Sequence, residues 1–367
     1  MFKHLKWKIP LILFVILGAV VMAFPLKEKI ILGLDLQGGM HLVLEVQAEK
    51  AVEATLERIA DDIKRALEDE DVEVDRVFER IEENEIHVVL VDTINLDELE
   101  KVLANYPALE KIQAVGDGIE TVYRLSDDEI EWIQENAVQQ ALEIIRNRID
   151  QYGVSEPTIQ VQGERRILVQ LPGIECPKCA VDLIGKTARL EFKLIDETMS
   201  VQTAMKTGIP EGDEILYQRK ENKDAGETNK GEPFLVKKRA ALTGDTLTAA
   251  EVRYDSQYNE PYVAITFNSM GADIFRQVTR ENIKKRLAIV LDNNVYSAPV
   301  IQDEIVGGRA QITGSFTTEE ARDLAIILRA GALPAPVTML ENRTVGPSLG
   351  RDSIEKGVNS IIIGMAL

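Results

Sequence analysis

Apolar residues recur along the chain at two spacings. At helical spacing, Val52, Leu56, Ile59, Ile63 and Leu67 predict one amphipathic helix, and Ile130, Ile133, Ala137, Ala141, Ile145 and Ile149 predict a second. The second follows Ser126-Asp-Asp-Glu129, a capping box in which the serine hydroxyl accepts a backbone N–H that the first helical turn leaves free. It should stop near Gly153, ahead of Pro157. Asn95-Leu-Asp-Glu98 opens a helix with Leu99, Val102 and Leu103 inward, and Thr317-Thr-Glu-Glu320 opens one that ends at Gly331. At alternate spacing, Ala188, Leu190, Phe192 and Leu194 fall on one face and Arg189, Glu191 and Lys193 on the other, which predicts a half-buried strand. Further strands are expected at 40–46, 86–91, 158–162, 166–171, 262–267, 287–291 and 295–301, with hairpin turns at Gly163-Glu164 and Asn293-Asn294.

In order, 40–124 give strand, helix, two strands, helix, strand, and 126–195 give helix, hairpin, helix, strand. Both fit α+β sandwiches in which helices cover one face of an antiparallel sheet. The stretch 218–232, with Ala225 as its only non-glycine apolar residue, is expected to be a mobile loop. The ends differ from the middle. Residues 9–26 form an uncharged apolar run of 18 residues behind Lys3, Lys6 and Lys8, long enough for a transmembrane helix with a cytoplasmic amino terminus. Signal-peptide cleavage after Val21-Met22-Ala23 is the competing reading. Residues 357–367 turn apolar again, as the start of a second span would, so the region between is expected to be a large exported loop of a longer membrane protein.

A length of 367 residues suggests two or three compact units at roughly 150 residues each. The formal net charge of −19 would repel phosphate backbones, which excludes nucleic acid as a partner. Between Glu49 and Glu100 stand 19 acidic side chains against 6 basic ones, the pattern of a solvated acidic surface module.

The candidates for chemistry are few. Gly33-Leu-Asp-Leu-Gln-Gly-Gly39 is glycine-rich but lacks the Gly-Lys-Ser/Thr ending of a phosphate loop and opens no helix. Cys176-Pro-Lys-Cys179 has the spacing of a redox pair, a local disulfide or two bystander thiols. His4, His41 and His87 show no spacing suited to zinc, and no nucleophile, base and acid can be singled out, so neither a metal nor a cofactor nor an enzyme is expected.

The glycine-rich segment, shortly after an amino-terminal span, resembles the signature of the SecD/SecF family of protein-translocase subunits within the RND superfamily. The residues that carry it are Gly33, Asp35, Gln37, Gly38 and Gly39. Arg146-Asn-Arg148-Ile-Asp-Gln-Tyr-Gly153-Val-Ser-Glu-Pro157 resembles a second family segment, and 166–173, with Pro172 and Gly173, a third. Residues 183–188, 287–301, 328–336 and 345–350 follow in family order, and the acidic stretch of about 48–120 is the weakest match. The resemblance implies an α+β periplasmic domain after a first span, within 1–30. Its ferredoxin-like base would comprise 31–47, 126–195 and 316–345, with an acidic insert at 48–125, a head at 196–315, and the approach to a second span at 346–367. It implies hinges at Ile195, Asp196, Gly314 and Ser315, and residence in the bacterial inner membrane. The implied partners are SecF, the SecYEG channel, a YajC-like accessory subunit, membrane lipid and the unfolded translocating polypeptide, with the proton-motive force driving head motion through spans beyond Leu367. Val295, Tyr296, Pro299 and Val300 are candidate polypeptide contacts, since Pro299 cannot donate to a sheet and suggests an edge or a bulge. Two other functions compete: a porter domain of a small-molecule RND transporter, and a periplasmic thiol oxidoreductase using Cys176 and Cys179.

Overall fold

The computed structural model describes residues 38–345 apart from 93, 116–118, 155, 211, 220–229 and 315, together with isolated positions near both ends. The expected mobile loop and the expected spans at 9–26 and 357–367 fall largely outside the described residues. Among the described residues no helix is long and apolar enough to cross a membrane.

The first sheet is built from β1 (Gly39–Val46), β6 (Thr158–Gln162), β7 (Arg166–Pro172) and β17 (Val337–Val345), in the order β17-β1-β7-β6 with every pairing antiparallel. β1 is an interior strand, which is why nearly all of its positions can be apolar. Gly39 admits no side chain: its φ is +139°, and a Cβ there would lie 2.3 Å from the Leu171 carbonyl oxygen. Helices α1 (Ala48–Asp69) and α3 (Asp127–Tyr152) pack their apolar stripes into the core beneath this sheet. Ser126 caps α3 by accepting the Glu129 N–H at 3.3 Å, and Gly153 ends it at φ +90°.

The acidic stretch forms a second antiparallel sheet from β2 (Val74–Arg80), β3 (Glu85–Leu90), β4 (Leu109–Val115) and β5 (Glu120–Leu125), in the order β2-β3-β5-β4, with α2 (Leu96–Leu103) beside it. β4 escapes the sequence pattern because it is an edge strand exposed from Glu110 to Ala114, Ile112 included, so no buried apolar face marks it. Ile86, Val88, Leu90 and Leu125 belong to the same core cluster as Met40, Leu42 and Ile145. The acidic module is therefore welded to the first sheet through α1 and has no core of its own.

The second lobe holds a six-stranded sheet ordered β10-β9-β15-β14-β8-β11 and a three-stranded sheet ordered β12-β13-β16. Its strands are β8 (Leu190–Leu194), β9 (Asp213–Arg219), β10 (Lys230–Lys237), β11 (Leu242–Thr243), β12 (Leu247–Tyr254), β13 (Pro261–Phe267), β14 (Leu287–Leu291), β15 (Asn294–Ser297) and β16 (Arg309–Ile312). Three helices accompany them, α5 (Val201–Thr207), α6 (Ser269–Glu281) and α7 (Thr318–Ala330), while α4 (Pro177–Gly185) precedes β8. Phe192, Phe267 and Phe275 meet at the centre with ring centroids 5.2–5.8 Å apart.

Several expectations are corrected here. β8 is not half-buried: Glu191 and Lys193 are each 5% exposed, because a small core of Ile195, Leu216, Phe234, Val236, Ala288, Val290 and Val295 lies in the same sheet, which spans neighbours on both sides of β8. The buried ammonium of Lys193 is matched by Glu191 at 3.2 Å and Glu214 at 2.5 Å. β8 also pairs with β14 and β11 and not with the first sheet, so 190–194 belong to the second lobe. α7 does likewise: Leu324, Ala325, Ile327 and Leu328 enter the second core, although β17, which follows, returns to the first sheet. Its capping box is complete, with Glu320 N–H on Thr317 Oγ1 at 3.2 Å and Thr317 N–H on Glu320 Oε2 at 2.7 Å. The strand expected at 295–301 ends at Ser297, and the hairpin before it turns on Asp292-Asn293, at φ +48° and +62°. Asn294 already pairs with Leu291.

Candidate functional site at the junction between the lobes

Among the described residues the chain passes from the first core to the second at 186–189, between α4 and β8, and returns at 331–336, between α7 and β17. The two crossings touch: Leu333 N–H donates to the Thr187 carbonyl at 2.9 Å. Arg148, from the last turns of α3, inserts a guanidinium between them and is 0% exposed. Nη1 donates to the carbonyls of Leu183 (3.0 Å), Ile184 (3.2 Å) and Lys186 (2.5 Å). Nη2 donates to the carbonyls of Thr187 (3.4 Å) and Gly331 (3.0 Å). One cation from the first lobe thus gathers backbone from both crossings, a use of the planar five-donor fork that lysine could not reproduce. Burial pushes the Arg148 guanidinium down to about 10, and Asp292 opposes that shift, so the group stays charged at neutral pH.

Asp292 completes the junction from the second lobe. Its carboxylate accepts the Thr187 hydroxyl at 2.5 Å and the backbone N–H groups of Ala188 and Arg189 at 3.0 and 2.9 Å. Those bonds hold Ala188 at φ +61°, a conformation that costs a residue with a Cβ about 1 kcal/mol or more.

Beside the junction lies a cleft of about 580 Å³, walled on one side by Gly153, Pro172, Gly173 and Cys176 and on the other by Glu319 and Asp323 of α7. Burial raises the Asp323 carboxyl above its ordinary value and Glu319 and Asp182 add to the shift, against Lys186 and Arg322. Cys176 and Cys179 are joined by a disulfide across the first turn of α4.

The motif residues picked from sequence separate into three groups. Arg148, Gly153, Pro172 and Gly173 converge on the junction and its cleft, where Gly173 N–H also donates to the Gly38 carbonyl at 2.9 Å. Arg146 points to solvent and pairs with Glu143 at 2.5 Å, and Pro157 stands at the entry to β6. Gly33, Asp35 and Gln37 lie outside the described residues. The positions named as hinges are not at the crossings. Ile195 N–H bonds the Arg286 carbonyl, and Asp196 bonds the Leu235 carbonyl and pairs with Lys237 at 2.7 Å, all within the second lobe. Gly314 precedes α7 inside the second lobe, and Ser315 lies outside the described residues.

The proposed polypeptide contacts divide as well. Val295 is 0% exposed in the small core. Tyr296 is half-buried, stacked on Phe316 at 6.0 Å, with its hydroxyl accepting from Arg219 at 2.6 Å. Pro299 and Val300 are exposed, but β15 is an interior strand; Pro299 stands in an irregular stretch between a register shift opposite Ile289 and Val290 and the isolated bridge of Val300 to Arg286, and not at a sheet edge. Its carbonyl accepts the Leu287 N–H at 3.0 Å. Sequence reasoning missed Asp292 entirely. The one signal for the junction was a charged residue, Arg148, set beside the apolar stripe of Ala141, Ile145 and Ile149.

Fold and junction define a two-lobed α+β protein whose two crossings meet around one buried arginine. Residues 138–197 match the family described as protein translocase subunit SecDF, P1 domain, N-terminal, and 213–335 match SecDF, P1 head subdomain, a span that includes α7 and most of the return crossing. The chain is 50% identical over 364 residues to the protein translocase subunit SecD of Calditerrivibrio nitroreducens, covering 99% of this chain and 70% of that one. It is 45% identical to the SecD of Syntrophobacter fumaroxidans, covering 99% and 71%. A crystal structure of SecDF in its super-membrane-facing form is similar across 100% of this chain and 38% of that chain, with 30% identity and a TM-score of 0.50. The chain belongs to the SecD family of protein translocase subunits.

Proposed function

We propose that this chain supplies the extracytoplasmic two-lobed part of a SecD subunit, in which the second lobe engages emerging unfolded polypeptide and swings relative to the first. The observation that carries this reading is the junction: two separate cores joined at two adjacent crossings, both bonded to Arg148. Paired crossings allow rotation while forbidding the lobes to drift apart, as a hinge requires. The first lobe, in sheet order β17-β1-β7-β6, supports the ferredoxin-like base expected from the family, and the second supports the head. In this proposal the subunit sits in the bacterial inner membrane with SecF, the SecYEG channel and a YajC-like subunit, and proton-motive force reaches the lobes through the spans.

A holder of unfolded chain needs exposed apolar side chains and weak, reversible binding, with Kd micromolar or poorer, about −8 kcal/mol or less favourable. Val300, 44% exposed, and Ile283 flank the backbone bond from Lys284 N–H to the Ile301 carbonyl and supply such a surface. The test places a photo-crosslinker at Val300, and separately at Glu82 of the acidic module, in full-length protein reconstituted with its partners. The expected result is a crosslink from Val300 that appears only with a stalled export intermediate and none from Glu82. Export that is still stimulated with no crosslink from Val300, Pro299 or Tyr296 refutes capture by this lobe.

A further inference from the structure

The acidic module holds an arrangement unrelated to the junction. β3 carries Glu85 and His87 two residues apart and hence on one face, and the short turn at Ile81–Glu83, closed by Asn84 at φ +55°, brings Glu83 back beside them. One donor atom from each of the three lies within 4.8 Å of the other two. His87 is 3% exposed, and its ring is stacked on Phe78 with centroids 4.9 Å apart. Its Nδ1 stands 2.9 Å from Glu120 Oε1. A carboxylate only accepts, so Nδ1 carries the proton, and in the neutral ring Nε2 offers a bare lone pair. That nitrogen is buried and has no hydrogen-bond partner among the described residues; the nearest carboxylate oxygen, Glu85 Oε2, is 3.5 Å away.

We propose that Glu83, Glu85 and His87 form a binding site for a divalent transition-metal cation of the zinc class, with Glu120 orienting the imidazole from behind. A histidine whose remote nitrogen is fixed by a carboxylate is the usual support for a metal-ligating imidazole. One nitrogen and two carboxylates, with water in a fourth position, suit zinc and its neighbours; calcium takes six to eight oxygens, and magnesium favours oxygen ligands and retained water. Arg124 is the competitor, bonded at 2.5 Å to Glu85 Oε1, which leaves Oε2 turned to His87. Glu83 is exposed and held only by Arg80 at 3.5 Å among the described ion pairs, so it can close the remaining distance. The surrounding stretch, 19 acidic against 6 basic residues, raises the local concentration of cations. Bound metal would pin the 81–84 turn to the sheet.

The test uses the full chain in detergent, stripped with chelator and titrated with Zn²⁺ by calorimetry and with Co²⁺ by visible absorption. The expected result is one equivalent bound with micromolar or tighter affinity, a cobalt spectrum of nitrogen and oxygen ligation, and at least tenfold weaker binding in His87→Gln and in Glu83→Gln. Glu83 is exposed, so its variant keeps the test valid even if His87→Gln unfolds. Arg124→Gln should bind no more weakly than the parent. Absence of stoichiometric binding, or binding unchanged in both Glu83→Gln and His87→Gln, overturns the proposal.

Discussion

Replacing Arg148 by methionine keeps most of the buried volume and removes the fork. Five carbonyls then lose a donor, at 2.5, 3.0, 3.0, 3.2 and 3.4 Å. Thr187 keeps the Leu333 N–H, and relaxation with entering water re-satisfies others, so two orphaned carbonyls is a working number. At about 1–3 kcal/mol each, the loss is about 4 kcal/mol, within the range of about 3–5 kcal/mol seen when one partner of a buried charged network is removed. The cost of burying the charge runs the other way. A guanidinium pushed down to about 10 from its ordinary value corresponds to about 3 kcal/mol against the charged form, which methionine no longer bears. The expectation is thus a net destabilisation of about 1 kcal/mol, read by urea unfolding. Arg148→Lys should recover less than half, since one ammonium cannot reach both crossings. Distances between spin labels at Glu164 in the first lobe and Gln257 in the second, in a cysteine-free background, should broaden in Arg148→Met. Stability within about 0.5 kcal/mol of the parent, together with an unchanged distance distribution, would refute the junction as a fastening.

Asp323 gives a prediction with the opposite sign. Its carboxyl is raised in the folded state, by burial first and then by Glu319, so its ionised form opposes folding at neutral pH. Asp323→Asn should be more stable than the parent at pH 7, and the gap should close as the pH falls through the raised value toward the ordinary carboxylate range of about 4; a gap independent of pH in thermal melts would contradict it. Serine at both Cys176 and Cys179 removes a loop of four residues, for which chain entropy predicts a loss of about 2 kcal/mol or less. Export support in vesicles should remain, because the bond closes one helical turn and crosses neither passage between the lobes; lost export with an intact fold would favour a thiol-exchange role.

How much was legible in the sequence varied with the range of the interaction. The stripe from Ile133 to Ile149, the Ser126 cap and the Thr317/Glu320 capping box are local, and each stands where its spacing puts it. The same holds for β1 and the β6–β7 hairpin, whose pattern depends on neighbours in sequence. Alternation in 188–195 misled because it reports polarity and not what covers the polar face: Lys193 is buried only because Glu191 and Glu214 meet its charge there. Which lobe claims α7 was equally invisible, since an apolar stripe does not name the core it enters. Glu83, Glu85 and His87 were not singled out by spacing, because the turn that folds Glu83 back and the glutamate behind His87, 33 residues on, are matters of register. The sequence by itself determined α1 to α4 and α7, strands such as β1, β6, β7, β13 and β14, the caps at Ser126 and Thr317, and the family, but showed no sign of α5, α6 or β9. Only the tertiary structure decided where the lobes join, because Arg148 meets its carbonyl partners 35 to 183 residues away and a backbone carbonyl carries no identity in sequence.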